Sequence, residues 1–110
     1  MRFIEKNLVT IYGNQGFLDW LISVEPSLRR WTLEHLNNDP GAYLIEIEDQ
    51  NCQGEAIKKY YGHIFEEELG NHLPSGKWPI NRTYELFCEW FSIKYHTCVA
   101  DMTESEDNNA

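Results

Sequence analysis

Positive charge is scarce in this chain. Nine Lys and Arg stand against 18 Asp and Glu, giving a formal net charge of −9 over 110 residues. The basic residues are scattered, and Arg29-Arg30 and Lys58-Lys59 are the only adjacent pairs. A phosphate backbone is bound by clustered Lys and Arg, so no nucleic-acid partner is expected. Long apolar runs are also missing. No stretch approaches the 18 consecutive apolar residues of a membrane-spanning helix, so no membrane partner is expected either. Arg2, Glu5 and Lys6 break up the first residues, which do not read as a signal peptide.

Cysteine is too sparse for a scaffold. Cys52, Cys88 and Cys98 are odd in number and contain no CxxC, which argues against a disulfide framework and for reduced thiols in a cytoplasm. The familiar catalytic and cofactor frames are absent too: there is no GxSxG, GxGxxG, P-loop or HExxH. No cofactor is therefore expected.

Large aromatics, by contrast, are plentiful. Aromatic residues make up 14% of the chain, and six of them fall between Trp78 and Tyr95. Arg82, Glu85, Glu89 and Ser92 recur there at helical spacing, which predicts a helix with one narrow polar stripe, covered nearly all round. Adjacent aromatics on such a helix, Trp90 and Phe91, would point about 100° apart and bury against different neighbours.

The remaining periodicities give an outline. Leu8 to Tyr12 is β-branched and reads as a strand. Phe17, Trp20, Leu21 and Val24 mark a helix capped by Asn14, and Pro26 opens a second. Ala42 to Ile47 is a strand. Ile57, Tyr60, Tyr61, Ile64 and Phe65 are the apolar face of a helix from about Glu55 to Leu69, with Gly70 as a left-handed stop. Residues 71–81 form a long loop, and Thr97 to Ala100 a last strand. The expectation is an α+β fold in the order β-α-α-β-α-α-β, a small sheet of about three strands with about four helices mainly on one face. One globular domain over residues 1–102 and a disordered acidic tail over residues 103–110 complete it.

Several words in the chain, Ala42-Tyr43-Leu44-Ile45, Phe65-Glu66-Glu67-Glu68-Leu69, Trp78-Pro79, Arg82-Thr83, Phe87-Cys88-Glu89-Trp90-Phe91 and Val99-Ala100-Asp101, resemble a group of small bacterial proteins. The likeness covers roughly the last two-thirds of the sequence. It implies a bacterial cytosolic domain and carries no activity.

Three constellations bear on function. His63, Glu66 and Glu67 share a helix face and could offer one nitrogen and two oxygens to a metal ion, although a solvated acidic face is the commoner meaning of that spacing. Cys88, His96 and Cys98 lie close in sequence, but buried thiols beside a partly buried histidine account for them more simply than a zinc or nucleophile site. The long loop holds His72, Lys77 and Trp78. Trp78 there serves either as a loop anchor or as a binding hot spot. The excess of aromatics, the acidic surface and the missing catalytic frames together point to a non-enzymatic interaction module, binding a protein partner or forming a homodimer, with Trp78, Lys77 and His72 as binding residues. The alternative is a small metal-binding protein or metal-dependent enzyme using the His63, Glu66 and Glu67 cluster.

Overall fold

The centre of the molecule is a three-stranded antiparallel sheet in the order β3-β2-β4, with β2 (Asn7–Gly13) in the middle, β3 (Gly41–Ile45) on one side and β4 (Phe91–His96) on the other. The computed structural model describes residues 1–103. Most of the expected acidic tail therefore lies outside the described residues. A second, two-stranded antiparallel ribbon pairs β1 (Arg2–Ile4) with β5 (Val99–Asp101). The helices are α1 (Gln15–Val24), the single turn α2 (Leu33–Leu36), α3 (Gln53–Gly70) and α4 (Tyr84–Trp90). The α+β class and the coarse element order are those expected, with β1 and β4 as additions.

Period-two alternation along β2 sets the layers. Asn7, Val9, Ile11 and Gly13 are buried under the helices, while Leu8, Thr10 and Tyr12 face the other way and are only half-buried. The partner strands follow the same parity through Val9↔Tyr43, Val9↔Tyr95 and Ile11↔Ile93. Helices cover that one face. Phe17, Phe65 and Phe87 are fully buried between α1, α3 and α4, and Phe91 at 4% exposure joins them. Ring centroids 4.7–5.7 Å apart link Phe17 to Phe91, Phe91 to Phe65 and Phe87, and Phe65 to Phe87.

The aromatic helix is shorter than its polar stripe predicts. It stops at Trp90, and Phe91 is already extended at φ −132°, ψ 144°. From there Ser92, Lys94 and His96 are exposed while Phe91, Ile93 and Tyr95 turn inward. Pairing with β2 over six residues, from Gly13↔Phe91 to Leu8↔His96, outweighs the helical continuation. This break also overturns the expected separation of Trp90 and Phe91. Both rings pack on Phe17, at 5.4 and 4.7 Å, because the chain changes direction between them.

Side-chain caps explain several boundaries. Thr83 accepts from the Leu86 N–H at 3.1 Å and starts α4. Thr32 and His35 cap α2 reciprocally. Asn14 precedes α1 but spends its side chain elsewhere, donating to the Glu89 carbonyl and accepting from the Ser92 hydroxyl. It ties the start of α1 to the α4–β4 break. Gly70 is not the left-handed stop that the sequence suggests. No described glycine has a positive φ, and the turn continues into Asn71, whose N–H reaches the Glu67 carbonyl at 3.1 Å.

Candidate functional site

The residues singled out by sequence are placed as follows. Trp78 is half-buried against the core, and its indole N–H donates to the Leu73 carbonyl at 2.9 Å. The Arg82 guanidinium lies 5.7 Å from its ring centroid. These contacts are those of a loop anchor. Lys77 is exposed, with its ammonium 3.8 Å from Glu25. His72 lies edge-on to Phe17 and Trp31 at 5.9 Å each. The three candidates of the loop thus rest on different neighbours. Its most exposed apolar side chain is Ile80, at 93%.

His63, Glu66 and Glu67 are all exposed on the outer face of α3, and Glu66 lies 3.5 Å from Arg82. Cys88 and Cys98, expected to be buried, are both exposed, and His96 bonds instead with the Thr10 hydroxyl across the open face of the sheet. Cys88 lies with Glu85 and Glu89 on the exposed side of α4, opposite the buried Phe87 and Trp90. Among the described residues, no three His, Cys, Asp or Glu side chains come together as a metal site.

Sequence reasoning passed over Glu68. This residue belongs to the last turn of α3 and is 7% exposed, the one buried ionisable side chain among the described residues. Its Oε2 accepts from the Tyr43 hydroxyl at 2.5 Å, a contact made across 25 residues of sequence. Burial pushes the Glu68 carboxyl above the ordinary carboxylate range, more than the Tyr43 hydrogen bond pulls it down. Burial, then the bond to Glu68, raise the Tyr43 phenol in turn. Gly41 makes room for the pair: a Cβ there would lie 2.2 Å from Glu68 Oε2 and 2.9 Å from the Tyr43 hydroxyl oxygen.

Glu68 opens on a cleft of about 280 Å³. The cleft lies between α3's end, the start of β3 and the α2–β3 connection, and Asp39, Asn71, His72, Phe17 and Leu36 also line it. One wall is braced by Asn37, whose amide accepts from the Gly13 N–H at 2.7 Å and donates to the Gly13 carbonyl at 2.9 Å. Burial lowers His72's proton affinity, so its imidazole is neutral at pH 7.

A second feature lies at the other end of the sheet. The β1–β5 ribbon packs mainly on itself, and Met1, Phe3 and Met102 are 49%, 58% and 74% exposed. Phe3 and Ile4 line a shallow groove of about 460 Å³ together with Leu44, itself 51% exposed on β3. Leu8 pairs with Leu44 on that open sheet face. No helix of the described residues is long and apolar enough to cross a membrane.

No protein-family model, no curated protein and no solved structure matches this chain.

Proposed function

We propose that this chain is a non-enzymatic protein-interaction module that self-associates through its β1–β5 ribbon. The observation that carries the reading is the ribbon itself: two three-residue strands, with no third strand among the described residues, and Phe3 exposed over a groove that ends on Leu44. A two-stranded ribbon alone is marginal in water, and unpaired edges template pairing with another chain. An antiparallel edge is self-complementary about a two-fold axis, so a second copy is its simplest partner.

Charge favours the same place. The chain as a whole is strongly acidic and repels its own copies, but Arg2 and Lys6 balance Glu5 and Asp101 at the ribbon. Glu104, Glu106 and Asp107 follow β5 in sequence, so added salt should strengthen the pairing by screening them. Two three-residue strands offer a short edge, so a weak, concentration-dependent dimer is expected.

A second reading puts the interface at the 71–81 loop, supported by the exposure of Ile80 beside the Trp78 anchor. Sedimentation velocity over a wide concentration range separates the two. The ribbon reading expects a rise from 13.0 kDa toward twice that mass, abolished by Phe3→Asp and untouched by Ile80→Asp. The reverse pattern selects the loop. A constant monomer mass at every concentration and salt sinks self-association.

A further inference from the structure

We infer that the cleft beside Glu68 binds a small free organic cation, an alkylammonium or alkylguanidinium, with its charge between Glu68 and Asp39 and its alkyl part against Phe17 and Leu36. This goes beyond self-association and uses the opposite end of the sheet.

Four polar side chains around the cleft have bonding capacity left over. Among the described residues Glu68 bonds only Tyr43, through Oε2, and Oε1 is left without a hydrogen-bond partner but not sealed from solvent. Asp39, Asn71 and His72 line the same space, and no side-chain hydrogen bond or ion pair engages any of them. An oxygen that solvent reaches in so buried a residue can still accept a hydrogen bond from a ligand in the cleft.

The charge pattern selects the sign of the ligand. Among the described residues two carboxyl groups line the cleft, and no Lys or Arg does. An anion would meet both carboxyl groups with nothing to offset them. A metal ion lacks the converging ligands that it requires. An organic cation meets carboxyl oxygens, the Asn71 amide oxygen and the neutral His72 imidazole as acceptors. It also meets the apolar side chains of Phe17 and Leu36, which line the cleft and suit a cation carried on carbon. The cleft volume of about 280 Å³ limits the ligand to a few carbons beyond the charged head.

The groups facing Glu68 set the pH behaviour. Tyr43 from β3 and Glu67 from α3 act on it electrostatically, and Asp39 and His72 border the cleft. The sides built by β2, α1 and α2 supply Ile11, Phe17, Leu36 and Asn37, none of them charged. A cation favours the ionised carboxyl. Binding should therefore release a proton, and affinity should rise with pH through the raised Glu68 titration.

The test is an NMR titration of the full chain with butylguanidine and butylamine, against butyrate and butanol as anionic and neutral controls. Amide shifts confined to residues 36–41 and 68–72, with the cations only, are the expected result. Glu68→Gln should weaken binding about tenfold or more, and Asp39→Asn about threefold. Calorimetry in two buffers of different ionisation enthalpy should detect the released proton. Equal response to butyrate, no localised response to either cation, or unchanged affinity in a folded Glu68→Gln would overturn the assignment. Should Glu68→Gln not fold, the exposed Asp39→Asn decides in its place. Tighter binding of N-acetylarginine methylamide than of butylguanidine would put the cation on a polypeptide and overturn the free-ligand source.

Discussion

The two sheets of this molecule use the same antiparallel pairing and differ in what lies over them. The β3-β2-β4 sheet carries three helices on one face, with five buried aromatic side chains, Phe17, Phe65, Phe87, Trp90 and Phe91, packed between. Among the described residues the β1–β5 ribbon packs mainly on itself, and Phe3 is more than half exposed. Backbone hydrogen bonds are thus common to both, and burial is what separates them. Net hydrogen-bond stabilisation is about 1 kcal/mol per bond, whereas one fully buried Phe contributes roughly 2–3 kcal/mol by transfer alone. Stability should reside in the covered sheet. The ribbon is left as the region whose apolar surface remains to be used.

The largest expected effect lies in the covered sheet. Phe65 is fully buried and in ring contact with Phe87, Trp90 and Phe91. Phe65→Ala should cost about 3–5 kcal/mol in urea unfolding, through lost transfer energy and the cavity left behind. Phe87→Ala should behave alike. A loss near zero in both would remove the distinction between the two sheets.

Next comes Gly41→Ala, at the rim of the cleft. The new methyl would sit 2.2 Å from Glu68 Oε2, so the carboxyl or the strand must shift. Overpacking of this kind costs about 1–3 kcal/mol, read by the same urea titration. An unchanged midpoint would mean that Glu68 leaves its place readily, which would also weaken the cation site.

Glu68 itself gives a prediction in pH. Its carboxyl titrates above the ordinary carboxylate range in the folded protein, so the folded state holds that proton more tightly than the unfolded chain does. Its contribution to stability is full below the ordinary carboxylate pKa and is lost as pH rises through the raised value. Glu68→Gln, which cannot ionise, should therefore gain in melting temperature relative to the parent on going from pH 4 to pH 8. A difference independent of pH would show an ordinary carboxyl.

Much of this was legible from the residues, and the failures have physical causes. β2 and β3 stand where runs of β-branched and apolar residues put them, and α1 and α3 where helical apolar stripes do, because each stripe matches a face turned to the core. The α4–β4 break was misread because Arg82, Glu85, Glu89 and Ser92 fit a helical stripe while Ser92, Lys94 and His96 equally fit a strand. Pairing with β2 decides between the two, and that is a contact across about 80 residues which no local window contains. Glu68 had a visible sign. It stands at i+4 from Ile64 and i+3 from Phe65, on the apolar stripe, and not with the solvated Glu66 and Glu67. What could not be read was Tyr43, whose hydroxyl meets it from another element.

The smallest expected effect is also the sharpest test of the comparison. Phe3→Asp removes an aromatic ring, yet that ring is 58% exposed and belongs to a ribbon that packs mainly on itself. In dilute, monomeric conditions the unfolding free energy from urea titration should therefore change by no more than about 0.5 kcal/mol, the range of surface substitutions. The two sheets should also open separately. Amide exchange of the ribbon pair Phe3 and Ala100 should be fast and indifferent to Phe65→Ala, because it proceeds by local opening. Amides of Val9 and Ile11, on the central strand, should exchange faster in Phe65→Ala by the factor that its global destabilisation dictates. If the ribbon amides tracked the global stability instead, β1 and β5 would belong to the same cooperative unit as the core. Phe3 would then be part of what holds the fold together, and its exposure would no longer mark a surface waiting for a second copy.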